Sequence, residues 1–290
     1  MDYTKTQLYG LKSAEEVRFL LGIEKPICFK PKCYVLNEKR LIEEPSKDAK
    51  EVHKKIKRCL EQLDIPSYVF SQKGTTHIKE AKVHSPNGFF FITDIKGFYP
   101  NTHRDKVYKF FKEKLKQTSA VAKFLTDITT INIEKIHVNH EVKKLIAEKG
   151  FCNNHLITGA SCSTLLAFLA NIDMFESLIQ TSKDMGITAT IYVDDLAFSS
   201  RKPIPFSFKQ TVRKTLFKNG YKASDTKTFS NKKKGSIKIH GIYINNGKLS
   251  PSNKMIKEQK ELARSKTTNL ESLKRGKGIQ NYTTQILRNN

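Results

Sequence analysis

Thr188-Ala189-Thr190-Ile191-Tyr192-Val193-Asp194-Asp195-Leu196-Ala197-Phe198-Ser199 is the stretch whose reading decides the fold. Two apolar runs flank a pair of acidic residues, the pattern of a β-hairpin over residues 187–200. Adjacent carboxylates repel each other, and apolar strands solvate them poorly, so the pair calls for a cation. On its own, an Asp-Asp tip also suits a type I′ turn, which tolerates Asp. A second apolar run, Phe89-Phe90-Phe91-Ile92-Thr93, reads as a buried strand and leads directly into Asp94. If the two strands are neighbours, three carboxylates converge beside one sheet edge. Hard oxygen donors of this kind suit Mg²⁺, which binds through one or two carboxylates plus substrate phosphates. Two such ions about 4 Å apart activate an attacking hydroxyl and stabilise the leaving oxygen in phosphoryl transfer.

Outward from these strands the pattern is mixed. Ser13-Ala14-Glu15-Glu16 is a capping box that opens a short helix. Residues 26–45 read as short strands with turns. From Asp48 to Leu63, Val52, Ile56, Cys59, Leu60 and Leu63 recur at helical spacing. Helices are expected over 103–116 and 207–219, and one long core helix over 160–180. A second hairpin over 236–249 should turn at Asn245-Asn246-Gly247, and the tail from Ser252 is Lys-rich and helical in tendency. This order of elements predicts an α+β fold with an antiparallel sheet.

Charge narrows the function. Among 290 residues, 52 are Lys or Arg and 28 are Asp or Glu, a formal net charge of +24. Such an excess calls for a polyanion or an anionic membrane, the plainer alternative being a Lys-rich surface that aids solubility. No apolar run approaches the length that crosses a bilayer, and the start lacks the apolar core of a signal peptide. Nucleic acid is the expected partner, with no membrane, and the cytoplasm the expected compartment. Cys28, Cys33, Cys59, Cys152 and Cys162 form no C-x-x-C pair, which supports neither a disulfide framework nor a zinc site.

Four segments in order resemble the reverse transcriptase family. Tyr192-Val193-Asp194-Asp195 looks like its Y-x-D-D box, and Asp94-Ile95-Lys96-Gly97-Phe98-Tyr99-Pro100 resembles its first carboxylate motif. Leu156-Ile157-Thr158-Gly159-Ala160-Ser161 resembles the glycine turn under the template and incoming nucleotide, and Ser224-Asp225-Thr226-Lys227-Thr228 the Lys-containing motif that follows. The resemblance implies a right-hand polymerase: fingers and N-terminal helices over 1–88, a palm over 89–235 with a helical insertion at about 101–155, and a palm–thumb hairpin with a short basic thumb over 236–290. It implies Mg²⁺, with Mn²⁺ as an in vitro substitute, held at Asp94, Ile95, Asp194 and Asp195.

The remaining roles are implied in the same way. The amides of Ile95, Lys96, Gly97 and Phe98 would cradle the triphosphate, as successive N–H groups do in an anion nest. Tyr99 would be the aromatic gate whose ring clashes with a 2′-OH and so favours dNTPs; a core position is the plainer alternative. Gly159 would let backbone approach template or base. Lys227 would neutralise the pyrophosphate or donate a proton. Arg40 would grip the triphosphate with its fork, or stand as an ordinary surface residue. Apart from the resemblance, the charge of Lys232-Lys233-Lys234 and of Lys254, Lys257, Lys260, Arg264 and Lys266 reads as a backbone clamp on an RNA–DNA hybrid, or as a solvated helix face.

Gly74-Thr75-Thr76 with Glu80-Ala81-Lys82-Val83-His84, and Ile239-His240-Gly241, resemble segments of the bacterial retron-type branch. That branch copies a partner noncoding RNA into a branched RNA–DNA product, and many members act in antiphage defence beside an effector protein. The chain departs from the pattern at Glu80 (usually Asn), Thr158 (Gln), Thr164 (Pro), Ser224 (Asn) and His240 (Thr). These departures keep alive a divergent defence polymerase with unusual priming or no template. An RNA-directed RNA polymerase is opposed by Tyr99, and an inactive RNA-binding scaffold by the intact carboxylates. Oligomeric state is not legible.

Overall fold

The computed structural model describes residues 1–38, 40–224, 229–231, 236–264 and 270–289. In chain order the strands are β1 (Lys32–Leu36), β2 (Arg40–Glu44), β3 (Phe89–Asp94), β4 (Thr130–Asn132), β5 (Asn154–Leu156), β6 (Thr188–Tyr192), β7 (Asp195–Ser200), β8 (Phe229–Asn231), β9 (Ile237–Ile239), β10 (Ile242–Asn245) and β11 (Lys248–Pro251). The helices are α1 (Ala14–Leu21), α2 (Lys47–Leu60), α3 (His77–His84), α4 (Arg104–Lys109), α5 (Ser119–Thr129), α6 (His140–Lys149), α7 (Ser163–Ala170), α8 (Ile172–Asp184), α9 (Phe206–Lys218), α10 (Asn253–Arg264) and α11 (Leu270–Arg288). Every described strand pairing between these elements is antiparallel, which agrees with the α+β expectation. None of the described helices is long and apolar enough to cross a membrane.

The chain divides into two units. One comprises Met1–Ser67, Ile95–Ser177 and Leu216–Lys222; the other comprises Tyr68–Asp94, Leu178–Thr215 and Ala223–Asn290.

The second unit is built on a four-stranded sheet of order β6-β7-β3-β8. Side chains alternate across a pleated strand, so each strand serves two faces. On one face Phe91 stacks on Phe198 at 5.6 Å, and Phe208 of α9 meets Phe198 edge-on at 5.2 Å. On the other face Phe90 and Ala197 join Ile78 and Ala81 of α3, Ile286 of α11, and the apolar side of the meander β11-β10-β9 in one core. The meander carries two two-residue turns, His240-Gly241 (φ +44° and +88°) and Asn246-Gly247 (φ +48° and +80°). Positive φ at both central residues is the type I′ requirement, which Asn-Gly meets cheaply. The expected hairpin over 236–249 is thus a three-stranded meander, because His240-Gly241 forms a turn that His does not announce.

In the first unit the Ser13 hydroxyl caps α1 by accepting from the Glu16 amide at 3.2 Å. The Glu16 carboxylate reaches back one residue further than the standard box, to the Lys12 amide at 2.9 Å. The expected helix over 103–116 is α4 followed by a π-helical turn over Phe110–Lys114. The single long helix expected over 160–180 is instead α7 and α8, interrupted at Asn171. Its side chain donates to the Ala167 carbonyl and accepts from Lys106 Nζ (2.8 Å) and from the Tyr221 hydroxyl (3.0 Å). Asn competes with helical backbone in this way, which is why it marks breaks.

A buried acidic residue fixes the glycine turn of this unit. Glu43 in β2 is fully buried. Its carboxylate meets His155 Nε2 at 2.7 Å and accepts from the Thr158 amide at 2.8 Å. The Glu43 backbone lies so close to Gly159 that a Cβ built there would stand 2.0 Å from the Glu43 carbonyl oxygen. Only glycine allows this approach. Gly159→Ala is expected to displace β2 and destabilise the protein by about 3 kcal/mol in urea titration. In contrast, Gly278→Ala in α11, where a Cβ meets nothing within 4 Å, should raise stability by about 0.5–1 kcal/mol. Equal effects at the two glycines would contradict the close-approach account.

Candidate metal-binding corner

β3 pairs with β7 from Phe89↔Ser200 to Asp94↔Asp195, and β6 pairs with β7 up to Tyr192↔Asp195. Asp94 and Asp195 are therefore direct cross-strand partners, with Cβ atoms expected about 4.5–5.5 Å apart and pointing to the same face. Asp94 is buried, 4% exposed, while the Asp195 side chain is 34% exposed. Val193 and Asp194 form the two-residue loop between β6 and β7.

That loop is not the type I′ turn that Asp would serve by its tolerance of the left-handed region. Of its two residues only Val193 has positive φ, at +58°. The sign pattern is that of a type II′ loop, whose first position normally takes Gly. A β-branched residue there costs roughly 1–2 kcal/mol. The turn conformation therefore gives no reason for the acidic pair.

Like charges directly opposite one another destabilise a sheet, and the facing carboxylates of Asp94 and Asp195, with Asp194 next in the chain, are hard oxygen donors. Among the described residues no group of three or more His, Cys, Asp or Glu side chains is placed to hold a metal ion. Mg²⁺ typically binds through one or two carboxylates, with waters and substrate phosphates as its other ligands, and the facing Asp94 and Asp195 would supply two such donors.

A polar network lies on the same face of the sheet. Asn87 Nδ2 donates to Ser199 Oγ (2.8 Å), and Ser199 Oγ meets His84 Nδ1 (2.6 Å). His84 Nε2 meets Thr190 Oγ1 (2.8 Å), whose hydroxyl donates to Glu80 Oε1 (2.8 Å). The Thr190 proton is committed to Glu80, so His84 Nε2 donates to Thr190, and in the neutral ring Nδ1 then accepts from Ser199. Burial lowers the pKa of His84 from 6.5 to about 4, against the opposing pull of Glu80. Glu80 Oε2 lies 3.2 Å from His240 Nε2, and His240 Nδ1 lies 3.5 Å from Asp195 Oδ2. Burial disfavours the charged His240 ring, but the Glu80 contact and the charges of Asp195 and Asp194 outweigh it and raise its pKa.

Arg40, Ile95, Lys96, Gly97, Phe98, Tyr99 and Gly159 lie in the first unit, and the basic residues of α10 in the second. Ile95 and Phe98 are buried, and Phe98 packs on Tyr221 and Phe175. Gly97 has φ +59°, and a Cβ there would meet the Phe151 ring at 2.5 Å. The Lys96 amide donates to the Lys222 carbonyl at 2.8 Å; in this conformation it is committed there and not to a phosphate cradle. Tyr99 is half-buried, with its hydroxyl 2.9 Å from Thr164 Oγ1. Arg40 stands exposed at the start of β2. Lys254, Lys257, Lys260 and Arg264 are exposed along α10. Lys227, Lys232-Lys233-Lys234 and Lys266 fall outside the described residues. Sequence reading passed over Glu43 and His155 altogether; their only signal is a charged residue at a buried strand position, which needs the fold to be seen.

An α+β protein with an antiparallel sheet, a Y-x-D-D hairpin and a facing Asp on the neighbouring strand is the class these features define. No family model matches the chain. It is 27% identical over 228 residues to the Retron Se72 reverse transcriptase of Salmonella heidelberg, a match covering 75% of this chain and 55% of that protein. The chain spans about half the length of the curated relative it matches. This distant similarity supports the retron-type reverse transcriptase reading at the level of the family.

The neutral, buried His84 makes stability depend on pH. Its folded pKa lies below its unfolded value, so its contribution is fully present above about pH 6.5 and is lost as pH falls towards 4. The full loss is on the order of 3 kcal/mol. Denaturant titrations across this window should show a steeper decline for the parent chain than for His84→Gln. Parallel declines would contradict a neutral buried imidazole.

Proposed function

We propose that this chain is an RNA-directed DNA polymerase of the retron type. The observation that carries the reading is the register pairing of Asp94 with Asp195 beside the Asp194 turn. Asp94 and Asp194 would hold the divalent ions, with Asp195 and the Ile95 position assisting. Bound Mg²⁺ would lower the pKa of the primer hydroxyl and neutralise charge on the leaving pyrophosphate. Tyr99, with its hydroxyl tied to Thr164, is assigned to exclude the 2′-OH and select dNTPs. Arg40 and Lys227 are assigned to the triphosphate and pyrophosphate, and Gly159 to the template side. Residues 1–88, 89–235 and 236–290 are assigned to fingers, palm and thumb.

The partner is read as a noncoding RNA, with the RNA–DNA hybrid held by the excess of 52 basic over 28 acidic residues and by the exposed basic side of α10. Phosphate contacts make such binding fall steeply with salt. The motif resemblance to the retron-type branch is the ground for proposing a branched RNA–DNA product and a role in antiphage defence beside an effector protein.

Asp194→Ala should abolish Mg²⁺-dependent incorporation of dNTPs on an RNA template and leave RNA affinity nearly unchanged. Synthesis persisting in that variant would overturn the metal assignment. Sequencing of nucleic acid that copurifies with the chain should find DNA joined to RNA through a branch; DNA joined to protein, or a simple untemplated repeat, would contradict the retron assignment.

A further inference from the structure

The second unit holds a buried carboxylate that the proposed chemistry does not use. Glu80 is fully buried on α3, where an isolated charge would be strongly disfavoured. It is kept by two contacts: the Thr190 hydroxyl and the His240 ring at 3.2 Å. His240 sits in the β9–β10 turn at φ +44°, in the left-handed region where Gly is at ease and His is found more often than most residues.

The ring of His240 is fixed on three sides. Glu80 holds Nε2, His77 stacks on the ring at 5.0 Å and 24°, and Tyr192 packs on it at 4.5 Å. The fourth side presents Nδ1 to Asp195 at 3.5 Å. Tyr192 is itself the register partner of Asp195. Glu80 and His240 are also two positions where the chain departs from the pattern it resembles, and the structure shows the two departures in contact with each other.

We propose that Glu80 and His240 are a coupled pair of positioning residues for Asp195, with Glu80 anchoring the imidazole and the imidazole orienting the carboxylate. The inference rests on the polymerase reading for its functional meaning. Physically it is the arrangement in which a ligand is aimed by a group one step further out, and loss of such partners typically costs about 10–100-fold in metal affinity or activity. A pair acting through one path gives non-additive losses.

The test uses His240→Gln, Glu80→Gln and the double variant in the full chain. His240→Gln keeps a group that reaches Glu80 but removes the nitrogen facing Asp195. Mn²⁺ binding is read by electron paramagnetic resonance titration, and kcat and KM for dNTP are measured alongside. Both single variants should weaken Mn²⁺ binding and lower kcat by about 10-fold or more, with a much smaller change in KM. The double variant should lose no more than the worse single one. Should Glu80→Gln fail to fold, His240→Gln at the partly exposed turn carries the test alone. Unchanged Mn²⁺ binding and kcat in His240→Gln, or losses that multiply in the double variant, would overturn the proposal. Asp94→Asn is the control: if it too binds Mn²⁺ and turns over normally, the polymerase reading fails, whereas its inactivity beside a normal His240→Gln sinks only the inference.

Discussion

The register between β3 and β7 is the constraint on which the second unit depends. It sets Asp94 against Asp195, Ile92 against Ala197 and Phe90 against Ser199 on one face. A slip of one residue would exchange the faces of the whole strand. Slippage is opposed from the other side of the sheet, where Phe91, Phe198 and Phe208 are each nearly fully buried. Burying one such ring contributes roughly 1.5–3 kcal/mol, while a pair of like charges across strands costs up to about 1 kcal/mol. Aromatic packing therefore wins, and it holds two carboxylates together that would otherwise move apart.

Strain collects at the same corner. Val193 and His240 both occupy the left-handed region, and both flank the acidic residues, one in the chain and one in space. Neither residue type is chosen for its turn. His240 is instead used on four sides, by Glu80, His77, Tyr192 and Asp195. The Glu80–Thr190–His84–Ser199 chain continues from it into the interior and ties α3 to β6 and β7. The corner is thus held by side-chain contacts from three separate segments of the chain.

Much of this was legible in the sequence because its signals are local. Strand β3 announces itself as an apolar run, the β6–β7 hairpin as two such runs around Asp194-Asp195, and the Asn246-Gly247 turn by its residue types. What was not legible depends on partners distant in the chain. Asn171 breaks a helix because Lys106 and Tyr221 reach it. The His240-Gly241 turn carries an imidazole whose contacts, Glu80 and two rings, come from distant segments. Glu43 anchors the Thr158-Gly159 turn across more than a hundred residues. Glu80 and His240 were visible only as separate departures from a pattern, and their contact required the fold.

Crystals of the chain soaked in Mn²⁺, with the ion located by its anomalous scattering, test the central claim most directly. The account predicts a peak at bonding distance from carboxylate oxygens of Asp94 and of the Asp194-Asp195 pair. Ordered Mn²⁺ elsewhere in the molecule, with none at that corner, would contradict it.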